Sequence, residues 1–123
     1  MSAPQDHSER RRFPRIPVRS PLAAATDRPA EDVTVRDVSE GGFLVETASP
    51  FPVDAVHAFR VQRPDGTFVT MLVARCVHCR RHPDPVAPPI YLAGFAFVDP
   101  TGETAQERIH ALIDHVTSVV EVD

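Results

Sequence analysis

Val33-Thr34-Val35-Arg36-Asp37-Val38-Ser39-Glu40-Gly41-Gly42-Phe43-Leu44-Val45-Glu46 reads as two β-strands joined at a tight junction. Val33, Val35 and Val38 before the junction, and Phe43 and Val45 after it, are the apolar half of an alternating pattern. Between them, Asp37 to Gly42 holds an Asp, a Ser and paired Gly, the residue types that make turns. The same six residues place two side-chain acceptors beside two positions without a Cβ, which leaves room for a ligand close to the backbone.

The β pattern extends downstream. Ser49-Pro50-Phe51-Pro52 breaks it, and Val56 to Gln62 resumes it. In that strand His57, Phe59 and Val61 share one face; Val56, Ala58, Arg60 and Gln62 share the other. Pro64-Asp65-Gly66-Thr67 predicts a hairpin turn with a long return strand over 68–78. The Pro-rich 82–89 stretch is a loop, and Ile90 to Val98 is a last strand. Gly94 in its middle predicts a bulge, a bend or a close approach by another group. The period then changes: Ala105, Ile109, Leu112, Ile113, Val116 and Val120 mark one face of a helix over 103–120, with Thr104 and Glu107 reading as a capping box. Upstream, Val18 to Ala25 reads as a first strand weakened by Pro21. These elements predict an all-β fold, a small antiparallel six-stranded split β-barrel with a C-terminal amphipathic α-helix.

The 123 residues make one domain with a modest core. Residues 1–9 read as a disordered leader, 10–17 as a flexible Arg arm, 18–98 as the barrel and 103–120 as the helix, within a single domain over 10–118. No apolar run is long enough to span a bilayer and no secretory segment opens the chain, so the expected location is cytoplasmic, without membrane insertion. The net charge of −4 argues against a nucleic-acid polymer as partner. Yet five Arg residues fall between positions 10 and 19, as Arg10-Arg11-Arg12-Phe13-Pro14-Arg15 and Arg19. A short basic segment on an acidic domain suits a compact anion, and Arg adds forked hydrogen bonding and purine stacking.

Arg11-x-x-x-Arg15 followed by Asp37-x-Ser39-x-x-Gly42 resembles the paired motif of PilZ domains. The order of elements, and the late Tyr91-Leu92-Ala93-Gly94-Phe95-Ala96-Phe97, are similar to that family as well, over roughly residues 9–118. The resemblance implies a non-catalytic bacterial receptor for the second messenger cyclic di-GMP. Arg11 and Arg15 would contact phosphate or guanine, Asp37 would accept from guanine N1 and N2, Ser39 would add a hydroxyl contact and Gly42 would permit close packing. It also implies a downstream effector protein, signalled to by ordering of the arm. The alternative is a member of the same fold that has lost nucleotide binding and serves as a protein-interaction module.

Other constellations carry less. Cys76-Val77-His78-Cys79 is half of a zinc motif, and an unbroken strand would send the two thiols to opposite faces, so no metal and no cofactor is expected. The histidines form no arrangement with Ser or carboxylates that spacing can defend as catalytic, so the chain is not expected to be an enzyme.

Overall fold

The computed structural model describes residues 14–19, 21–27, 30–85 and 87–122, with side chains described as far as Ser118. The described strands are β1 (Ile16–Pro17), β2 (Ala23–Asp27), β3 (Ala30–Val38), β4 (Gly42–Thr47), β5 (Val56–Gln62), β6 (Phe68–Arg81) and β7 (Tyr91–Phe97), followed by helix α1 (Glu103–Val122). All described pairings are antiparallel. β3, β2, β5, β6, β7 and β4 follow one another around a ring, and β4 returns to β3, which closes a six-stranded barrel. The predicted all-β barrel with a terminal helix is therefore the observed fold.

The start of the chain differs from its reading. Where the alternation predicts one strand from Val18 to Ala25, β1 and β2 lie in succession along the same side of β3. Val18 N donates to Arg36 O at 2.9 Å, and Val35 N donates to Leu22 O at 3.0 Å, so the ladder resumes after a gap containing Pro21. Proline has no N–H for the ladder, which explains the interruption. Ile16 and Pro17, read as part of an unpacked arm, pair with Val38 and Asp37.

The barrel interior is aromatic. Phe43 stacks on Phe95 at 5.5 Å between centroids, and Phe59 meets Phe95 edge-on at 4.8 Å. Val33, Val35, Val45, Val61, Leu72 and Ala93 are among the residues packed around them. Ile109, Leu112 and Val116 bury the apolar stripe of α1, and Thr70 Oγ1 of β6 donates to Arg108 O at 3.0 Å. The helix begins one residue before Thr104, and Gln106 N donates to Gly102 O at 2.8 Å. Thr104 thus lies inside the first turn rather than at the cap position that the expected capping box requires. The hairpin at Pro64 to Thr67 forms as read: Gly66 takes a positive φ of 89°, and Thr67 N donates to Asp65 Oδ1 at 2.9 Å.

Candidate ligand-binding site

Two bulges decide which side chains reach the barrel's outer surface. Along β3, plain alternation after Val33 and Val35 would turn Asp37 inward and Val38 outward. Instead the register with β4 steps from Val35↔Val45 to Asp37↔Leu44, so Arg36 is an extra residue. Val38 is thereby buried, while Asp37 keeps its carboxylate at the surface. A charged group in a core of phenylalanines would be costly, and the bulge removes that conflict.

Arg15 meets this carboxylate. Its backbone is set by the pairing of Ile16 with Val38, one residue on. Arg15 Nη1 donates to Asp37 Oδ1 at 2.8 Å, with the two side chains 46% and 20% exposed. A pair this exposed contributes about 0–1 kcal/mol, so a better partner can replace either half at small cost. Arg11 lies outside the described residues.

Ser39 and Gly42 build the turn. Ser39 N donates to Gly42 O at 2.8 Å; the Ser39 hydroxyl donates to Gly42 O at 3.4 Å and accepts from Gly41 N at 3.2 Å. The hydroxyl is thus already engaged, and a ligand contact there would share it. A Cβ at Gly42 would overlap the Phe95 carbonyl oxygen and stand 3.0 Å from its carbon. Glycine at 42 serves close packing of β4 on β7. Gly41 gives its carbonyl to Phe97 N at 3.0 Å.

The register carries the site across three further strands. Asp37 pairs with Leu44, Leu44 with Gly94, and Gly94 with His78, so the four residues lie in one row across β3, β4, β7 and β6. The His78 imidazole rests on Gly94: a Cβ there would stand 2.8 Å from Cε1. This is the close approach that Gly94 predicts. Burial of the imidazole, then the positive charges of Arg80 and Arg15, push its pKa below the ordinary histidine value. One row further along, Arg36 Nη1 donates to Glu46 Oε1 at 3.3 Å, and His82 Nε2 lies 4.0 Å from Glu46 Oε2. In the sequence, the contact of His78 with Gly94 is signalled by the glycine in the middle of the last strand.

The second bulge corrects the cysteine reading. β6 steps from Cys76↔Phe95 to His78↔Gly94, so Val77 is extra and the face alternation changes phase. Cys76 and Cys79 therefore both turn toward Phe51 rather than to opposite faces. Phe51 N donates to Cys79 Sγ at 3.4 Å, and Cys76 Sγ lies 3.9 Å from Phe51 O. Burial, then the neighbouring Cys79, push the Cys76 thiol pKa up, which keeps it protonated. Among the described residues, no three His, Cys, Asp or Glu side chains converge as a metal site requires.

The closed barrel thus carries an outward carboxylate, a guanidinium already in reach of it, and Leu44 and Gly94 beside them, all on the outside of the sheet. The chain belongs to the PilZ domain family, whose model matches residues 9–115. That is a family of ligand-binding domains, and no catalytic family is indicated. Among solved structures, the chain is similar to the PilZ domain with c-di-GMP of YcgR from Escherichia coli. There the TM-score is 0.69 at 18% identity, covering 90% of this chain and 94% of that one. It is also similar to YcgR in complex with c-di-GMP from the same organism, with a TM-score of 0.67 at 16% identity over 91% of this chain. That match spans 48% of the YcgR chain, about half its length. A search of curated proteins gives no significant match. Among the described residues, no helix is long and apolar enough to cross a membrane.

Proposed function

We propose that this domain is a receptor for cyclic di-GMP, held between Arg11 and Arg15 of the arm and the Asp37-Ser39-Gly42 turn. The observation that carries the reading is Arg15 at 2.8 Å from Asp37, on the outer face of a barrel of this family. The two groups complement opposite parts of the ligand. A guanidinium forks onto a phosphodiester oxygen pair or onto guanine O6 and N7. A carboxylate accepts from the guanine N1 and N2 donors. In the free protein each satisfies the other, and ligand binding exchanges one exposed ion pair for two charge-assisted contacts. Such contacts are worth about 1.5–3 kcal/mol each, which favours the exchange.

The chemistry is recognition, without covalent change. Ligand phosphates fix Arg11 and Arg15 over the outer face, and the rearranged arm is the surface that a downstream effector protein senses. Titration calorimetry with cyclic di-GMP tests the reading. Wild-type protein binds, and Arg15→Ala weakens binding about tenfold to a hundredfold with the barrel still folded. No heat of binding to wild-type protein, with folding verified by circular dichroism, would instead support the nucleotide-free interaction module.

A further inference from the structure

The row Asp37–Leu44–Gly94–His78 ends on a side chain that the turn and arm motifs do not include. Leu44 is half-buried, Gly94 contributes no side chain, and the surface between Asp37 and His78 spans three interstrand gaps, about 14 Å. Along that floor, a flat aromatic ring lies on Gly94, the His78 imidazole. We infer that this ring is a place-holder for a purine. A guanine whose donor edge meets Asp37 lies over Leu44 and Gly94, and the displaced imidazole of His78 stacks on the guanine's outer face. The inference rests on the receptor reading and adds to it a base-stacking residue on β6.

Three features support the exchange. His78 as a residue is exposed although its ring is partly covered on Gly94, so solvent lies on the side toward which the ring would swing. The Val77 bulge turns both Val77 and His78 to the surface, which brings the imidazole onto the floor instead of into the core. Any β-carbon at 94 would occupy the purine's place, which accounts for glycine in the centre of a strand whose other outward residues are Leu92 and Ala96.

The charges around His78 give the exchange a second signature. Arg15 from the arm and Arg80 from its own strand oppose its protonation in the free protein. Asp37 of β3 is held by Arg15, Glu46 of β4 by Arg36, and the outward residues of β7 carry no charge. Arg75 and the turn residue Asp54 stand on the far side of the bulge. Binding lifts the ring off the floor and adds two phosphodiester charges nearby. Both changes favour the imidazolium, so binding takes up a proton and tightens as pH falls through the histidine range.

Calorimetry with cyclic di-GMP, at about pH 6 and about pH 8 and in two buffers of different ionisation enthalpy, tests this. His78→Ala is expected to weaken binding about tenfold, within the range of one base–aromatic stack. His78→Phe keeps most of the affinity at the higher pH and loses both the pH slope and the proton uptake. Gly94→Ala weakens binding with the fold retained. Binding by His78→Ala with wild-type affinity and wild-type pH slope overturns the role of His78 and leaves the receptor reading standing. Failure of wild-type protein to bind at either pH overturns both.

Discussion

Two outer faces of the same barrel are built from the same alternation and end with opposite characters. Across β3, β4, β7 and the end of β6, the surface is small-floored and polar-walled: Leu44 and Gly94 lie between the Arg15–Asp37 pair and His78. Across β5 and β6, the surface is apolar. Val56, Phe68, Met71 and Val73 are all exposed there, with Val53 and Val77 at its end, among Arg60 and Arg75. Arg60 lies over the Phe68 ring at 4.6 Å, so part of that face covers itself. From Thr70 to Cys76, β6 alternates without interruption, and only next to the hairpin is Val69 an extra residue. The site face instead carries extra residues at Arg36 and Val77, one on each flank of its floor. A bulge transfers a side chain to the other face without disturbing the core beyond it. Here the two bulges bring Asp37 and His78 to the surface.

The sharpest way to break the comparison is at the two strand glycines. Gly42→Ala drives a Cβ into the Phe95 backbone carbonyl, which cannot move without opening the β4–β7 ladder. We expect a loss of about 1–3 kcal/mol, read from the urea midpoint. Gly94→Ala meets the far end of an exposed side chain instead, and its stability cost stays below about 1 kcal/mol. Equal losses in the two variants would show that His78 is as fixed as backbone, contrary to the exchange proposed for it.

The two flanks differ in how far sequence alone could reach. The core phenylalanines, the hairpin at Asp65 and Gly66, and the helix stripe at Ile109, Leu112 and Val116 follow from periodicity and turn chemistry. Asp37 was legible as a turn carboxylate, and Arg15 as one of several arginines. Their contact needed the β1–β3 register, which a two-residue strand does not advertise. Position 78 was illegible for a physical reason. A bulge adds one residue anywhere along a strand of suitable composition, and nothing in Cys76-Val77-His78-Cys79 marks where. The same uncertainty of phase put the two thiols on opposite faces in the sequence reading. Gly94 held the missing information, since it records the shape of the group lying over it.

A smaller effect sharpens the contrast from the apolar side. Combining Met71→Ser with Val73→Thr removes exposed apolar surface from β6 without touching the floor. Each change should alter stability by no more than about 0.5 kcal/mol, and cyclic di-GMP affinity should stay at the wild-type value. A clear loss of affinity in this variant would mean that the ligand extends beyond the Val77 bulge onto the second face.

The smallest expected effect is a pH slope in stability confined to the first face. His78 has its pKa pushed down in the folded protein, whereas the unfolded chain titrates at the ordinary histidine value. Between those two values the unfolded chain holds more protons, so stability rises with pH. As pH falls the penalty sets in below the ordinary value, and it is complete once the folded group is also protonated. Thermal melts of ligand-free protein at about pH 8 and about pH 5 should therefore show a smaller drop in His78→Phe than in wild type. Both proteins are otherwise identical, so the difference between their drops isolates position 78. Identical drops would place the imidazole in open solvent, away from Gly94, and the floor would then have lost the ring that marks where a purine fits.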